Sequence, residues 1–261
     1  KTCGDVPRFK RGSGYSSSAG TLNTGCAPLV GADNLGLIQR SYVRFADGNP
    51  HPHWPAIIPI QGGPAWIRSE LFNISVKASG NPSQEMMEGP MMQALLEERF
   101  QLKMHRETRE VPMYALTAAP GGLQLPSFQD GCIAMPSKAT LPAPPPGQQY
   151  CKVMVSAQSR AVYAQGSTLT EFSQLLSLVL DRPVIDKTGI TGKFDIHLEF
   201  SIDQATPRFL PGGDLARFAK TPDPAVPSIF TAIQGLGLKL EAAQGPREFL
   251  VIDHIEMPRE N

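Results

Sequence analysis

From residue 193 to 201 apolar and polar positions alternate without a break: Phe194, Ile196, Leu198 and Phe200 against Asp195, His197 and Glu199. Such a period of two predicts a strand with one buried and one solvated face. A helical period runs through residues 169–180, where Leu169, Phe172, Leu175, Leu176 and Val179 share one side. In front of it Thr168, with Glu171 three positions on, forms a capping box, so a helix is predicted there.

The pattern occurs twice. AWIRSELFNISVK at residues 65–77 aligns with KTGITGKFDIHLE at 187–199, placing Phe72, Ile74 and Val76 on Phe194, Ile196 and Leu198 at a constant offset of 122 (194 minus 72). Downstream, PMMQALLEERFQLKMHRETREVPMYALT from Pro90 resembles PSIFTAIQGLGLKLEAAQGPREFLVID from Pro227, and a one-residue gap brings MYAL onto FLVI. Each half is predicted to open with a helix, at 35–43 and 169–180. A strand pair follows, 58–61 with 72–77 and 183–186 with 193–200. A proline-led helix comes next, at 90–100 and 227–236. A hairpin closes each half, 101–106 with 113–118 and 238–242 with 249–255. The expected fold class is α+β: two repeats of helix-strand-strand-helix-strand-strand, with helices packed on small, mainly antiparallel sheets.

The repeats are expected at 1–120 and 161–261. Between them, 121–160 contains LPAPPPGQQYC, whose prolines suit neither a central helix nor a central strand, so it is predicted to be a disulfide-tethered linker. A second Pro- and Gly-rich loop spans 203–226.

Composition narrows the function classes. With 24 basic and 24 acidic residues in 261, the net charge is zero, which removes the electrostatic argument for nucleic acid or an anionic membrane surface. No apolar run approaches the roughly 18–20 residues of a transmembrane helix. Cys3, Cys26, Cys132 and Cys151 lie in Gly-, Pro- and Ser-rich surroundings and form no CxxC pair. Three disulfide connectivities exist. Cys3 with Cys26 and Cys132 with Cys151 are favoured, because each pair closes one irregular loop; four reduced structural cysteines are the alternative. Disulfides would place the protein in an oxidising compartment, secreted or periplasmic. No signal peptide stands at Lys1, so one is expected to have been removed or left out.

Candidate chemistry is sparse. His51 and His53, in His-Pro-His-Trp, are weak candidate metal ligands that lack a third partner. No metal or other cofactor is expected. Trp54 and Trp66 could stack on a sugar or peptide, although Trp66, after Gly-Gly-Pro, better suits a buried corner. Asp195, His197 and Glu199 resemble a triad, yet Asp195 and Glu199 lie about 13 Å apart along a strand. His197 is kept as a ligand-binding candidate beside Trp54 and Trp66. The matching residues of the first half are Asn73, Ser75 and Lys77, so the repeat keeps the apolar face and not the chemistry. No GxSxG, HExxH, phosphate-binding Gly-rich loop or EF-hand loop occurs. The charges from Glu97 to Glu110 read as a solvated face.

QGGPAWIRSELFNISVKA, MMQALLEERFQLKMHRETREVPMYALT, RPVIDKTGITGKFDIHLEF and PREFLVIDHIEMPREN resemble the soil-associated family of uncharacterised secreted proteins expanded in soil acidobacteria. The resemblance covers nearly the whole chain and brings no catalytic residues. Related domains follow membrane metallopeptidases of the beta-lactam-sensor type, which implies an extracellular sensing or binding role. In element order the repeat is similar to the short N-terminal domain of secretins and TonB-dependent receptors. Family members carry an apolar segment before the first cysteine, where here only Lys1 and Thr2 stand; a chain boundary is the expected reading, processing or a strand-accepting edge the alternative.

The leading expectation is a non-catalytic binding or sensing module for a small molecule, glycan or peptide. A hydrolase using a carboxylate pair between the repeats and a subunit assembling by strand exchange are the alternatives. The oligomeric state is left open.

Overall fold

The computed structural model describes residues 16–18, 20–31, 36–49, 58–134, 136, 142–156, 158–209 and 225–258. Helices and strands are mixed on small sheets, an α+β protein as expected. The chain divides into two compact units, the first drawn from 1–109 and 247–261, the second from 110–136 and 141–246.

In the first unit, β1 (Ser16–Ser18), β2 (Thr21–Ala27) and β4 (Phe72–Lys77) form an antiparallel sheet in the order β1-β2-β4. Its ladder shifts register between Asn23 and Cys26. Gly25 supplies the left-handed backbone of this bulge at φ 59°, and its N–H donates to Asn23 Oδ1 at 2.8 Å. Phe72, at the start of β4, is buried and meets Trp66 and Phe100 edge-on at 6.0 and 5.1 Å. Around it gather Leu22, Leu29, Ile67, Leu96 and Leu102.

The predicted helix at 35–43 is a short α1 (Leu37–Gln39) running into a π-helical turn (Arg40–Arg44). The wider turn places Arg40 inside, where Nε donates to Glu88 at 2.8 Å. Glu88 ends α3 (Gln84–Glu88), and Gln84 donates to its other oxygen at 2.5 Å. Gln93 Nε2 donates to the carbonyls of Ser41 and Ala46 at 2.6 and 2.8 Å, satisfying the end of the π turn. Gly89 is required beside it: a Cβ there would lie 1.8 Å from the Phe45 carbonyl oxygen. The predicted proline-led helix is α4 (Pro90–Phe100), burying Met92, Leu96 and Phe100.

In the second unit, β6 (Val153–Ser156), β7 (Ala161–Ser167) and β9 (Phe194–Glu199) form an antiparallel sheet in the order β6-β7-β9. Its register shifts between Ala164 and Ser167, at Gly166 with φ 62°. Packed on it is α5 (Leu169–Ser177), whose capping box is formed in both directions and whose Leu169, Phe172, Leu175 and Leu176 are buried. The second proline-led helix is α6 (Ile229–Gly235). Cys132 and Cys151 are disulfide-bonded. Cys26 is also in a disulfide; Cys3, its partner by the sequence reading, lies outside the described residues.

Pairing departs from the expected strand pairs and hairpins. β3 (Ile60–Gly62) and β8 (Val184–Asp186) do not pair with β4 and β9, which take β2 and β7 instead. Each predicted hairpin is one long strand, β5 (Lys103–Ala118) and β10 (Leu238–His254), and the two are neighbours in the order β3-β10-β5-β8. Contacts of His105 with Asp253, Arg109 with Phe249, and Thr117 with Glu241 step in opposite directions, so β5 and β10 are antiparallel. Gln-Gly-Pro at 244–246 lies inside β10. A Cβ at Gly245 would stand 2.8 Å from Met113 Sδ, so the missing side chain makes room for Met113 within the ladder.

Within the first unit, the phenol of Tyr42 donates to Glu97 at 2.9 Å, and burial, reinforced by this carboxylate, raises its pKa. A raised phenol pKa means that the unfolded chain ionises first as pH rises. The contribution of Tyr42 is therefore complete below about pH 10 and declines above it. Thermal melts of wild type and Tyr42→Phe between pH 8 and 11.5 should converge at high pH, the wild type losing more; parallel curves would contradict this.

Candidate functional site

The polar positions of β9 occupy the face of the second sheet opposite α5. On the covered face Val162, Ala164, Ile196 and Leu198 are buried. On the other, register puts Met154, Tyr163 and His197 in one row across the three strands. The Tyr163 and His197 rings stack at 4.6 Å between centroids with 10° between planes. Lys152 Nζ stands 3.3 Å from the centre of the tyrosine ring. His197 Nε2 is 3.4 Å from Glu199 Oε1. Ser159 Oγ is 3.5 Å from the tyrosine hydroxyl, and Met154 is 40% exposed.

The apparent triad is thus divided by role. Asp195 accepts the N–H of Gly166 at 3.0 Å and fixes the bulge of β7. His197 and Glu199 face solvent with side chains 51% and 57% exposed. Such an open pair suits recognition better than proton transfer in a dry site. In the first sheet the corresponding row holds Asn23 and Ser75, hydrogen-bonded at 3.0 Å.

Of the other sequence candidates, Trp66 opens a short helix, α2 (Trp66–Ser69), in the first unit, half-buried against Phe72. Trp54, His51 and His53 lie outside the described residues. Among the described residues no group of three or more His, Cys, Asp or Glu side chains is placed to hold a metal ion. Tyr163 and Met154 were missed by sequence reading; the alternation in 161–164 was the available signal, obscured by the alanines.

A second polar cluster lines β5 and β10 in the first unit. His105 Nδ1 is 2.9 Å from Asp253, Arg106 donates to Glu248 at 2.8 Å, and Arg109 bridges Glu107 and Gln61. The guanidinium of Arg109, through its hydrogen bonds, holds Glu107 below the ordinary carboxylate range, and Lys239 does the same for Glu241 in the second unit. A general acid needs the opposite shift. These exposed pairs brace the strand ladder, each adding little by itself.

Fold and site together define an α+β protein with two small antiparallel sheets, one of which presents a stacked tyrosine and histidine on its open face. The chain belongs to the family described as "Protein of unknown function (DUF3738)", whose sequence profile matches residues 56–255. No curated protein and no solved structure matches the chain. Among the described residues no helix is long and apolar enough to cross a membrane.

Proposed function

We propose that the protein is a secreted or periplasmic, non-catalytic binding module that takes a glycan on the open face of the β6-β7-β9 sheet. The observation that carries this reading is the stack of Tyr163 and His197 in an exposed row, with Lys152, Ser159 and Glu199 around it. With the tyrosine ring covered by His197 on one side and by Lys152 on the other, the aromatic face offered to a ligand is the outer face of His197, and flanked by hydrogen-bonding groups it matches a pyranose ring, which offers C–H bonds on one side and hydroxyls at its rim. The disulfide between Cys132 and Cys151 supports an oxidising compartment. The resemblance to domains behind beta-lactam-sensor metallopeptidases and, in outline, to the secretin and TonB-receptor domain is consistent with extracytoplasmic binding.

The test is a glycan array probed with the intact protein, followed by calorimetry on the strongest hit. His197→Ala is expected to weaken binding about tenfold, for roughly 1–1.5 kcal/mol of lost ring stacking, with unchanged melting temperature, and Tyr163→Ala, which removes the ring that His197 rests on, to weaken it at least as much. An array without hits, or hits indifferent to both substitutions, would refute the proposal. Turnover of a bound glycan or ester would favour the hydrolase reading instead.

A further inference from the structure

Each compact unit is assembled from both halves of the sequence. β8, in the second half, takes as its parallel neighbour β5, the last strand of the first half, with Tyr114 opposite Val184. β3, in the first half, takes β10, the last strand of the second, with Leu250 opposite Ile60. The two junctions share one construction. Tyr114 N–H donates to the carbonyl of Pro183 at 2.8 Å, and Leu250 N–H donates to that of Pro59 at 3.0 Å. In both, the residue after the proline is the first of the short strand. Tyr114 and Leu250 are also the residues that the alignment of MYAL with FLVI superposes. The antiparallel sheets add a second correspondence: β1-β2-β4 and β6-β7-β9 have the same order, and each shifts register at a glycine with positive φ, Gly25 or Gly166.

We infer that residues 1–120 and 161–261 are duplicated, strand-exchanged partners, each lending its final long strand to complete the other's parallel pair. The binding partner of either half is the other half. Neither β3 nor β8 finds its parallel neighbour in its own half, and a short strand with one side unpaired is a poor element alone. This inference is independent of the glycan proposal, since it concerns β3, β5, β8 and β10 and not the face that bears Tyr163.

The experiment cuts the folded full-length chain. A protease sequence is placed at residues 145–147, an exposed turn between the halves, in a Cys132→Ser/Cys151→Ser background so that no disulfide joins the pieces. In case that background does not fold, a second version keeps the disulfide and is cut between Gln158 and Ser159, which leaves both cysteines on one fragment. After cleavage the fragments are expected to elute together at the mass of the intact chain, with an unchanged circular dichroism spectrum, and to part only in denaturant. Ile185→Pro, in the middle of β8, should weaken their association by about tenfold or more, because proline removes a ladder donor and cannot sit between paired strands. Separation of the fragments in native buffer would overturn the inference, as would an association indifferent to Ile185→Pro.

Discussion

Glu88→Ala is expected to destabilise the protein by about 3–5 kcal/mol, the cost of removing one partner from a buried ion pair. Glu88 is fully buried, and the side chain of Arg40 is 9% exposed. Both oxygens of Glu88 are engaged, one by the Arg40 guanidinium and the other by Gln84. Without the carboxylate, the guanidinium held by the π-helical turn loses the buried acceptor that its Nε and one terminal nitrogen address together. Burying a charge beside a lost partner is costly, whereas replacing both members by apolar groups often is not. Urea denaturation should therefore separate Glu88→Ala from the double variant Arg40→Met/Glu88→Leu, which is expected to fall well short of the single loss. A single substitution costing under about 1 kcal/mol would show that the pair behaves like a surface bridge.

Phe72→Ala should cost a similar amount, about 3–5 kcal/mol, for a different reason. The ring is at the junction of three elements: it begins β4, pairs there with Ala27 of β2, and takes the edges of Trp66 from α2 and Phe100 from α4. Truncation leaves a cavity that these neighbours cannot all close on, since two of them are anchored at helix ends. Phe72→Leu keeps most of the volume and is expected to cost under about 1.5 kcal/mol. Equal losses for the two substitutions in chemical denaturation would mean that ring geometry, and not filled volume, sets the stability of this core.

The elements legible in the sequence were those whose burial follows a simple period. β9, α4 and α5 fall close to their predicted places, because alternation, a leading proline and a capping box are local signals. β2 and β7 went unseen, since Thr21–Ala27 and Ala161–Ser167 are short, small-residue strands broken by bulges at glycine. The partners of β3 and β8 were unreadable for another reason: periodicity tells which face of a strand is wet and nothing about which distant strand lies beside it. The hairpin expected of 238–242 with 249–255 is one continuous strand, in which Gly245 makes space for the side chain of Met113. For the candidate site, His197 was visible as part of an exposed polar face, but its stacking partner Tyr163 depends on the register between β7 and β9. Asp195 looked chemical and proved architectural, holding Gly166.

The pairing of Ile60 with Leu250 also bears on the order of events in the life of the chain. Synthesis proceeds from the N-terminus, so β3 is made long before β10, and the parallel pair of the first unit stays open until residues 250–252 have been added. Contacts so far apart in sequence are slow to form, because the intervening segment must be gathered first. The strand that closes the first unit is therefore among the last of the described elements to become available, and the pair it completes forms late.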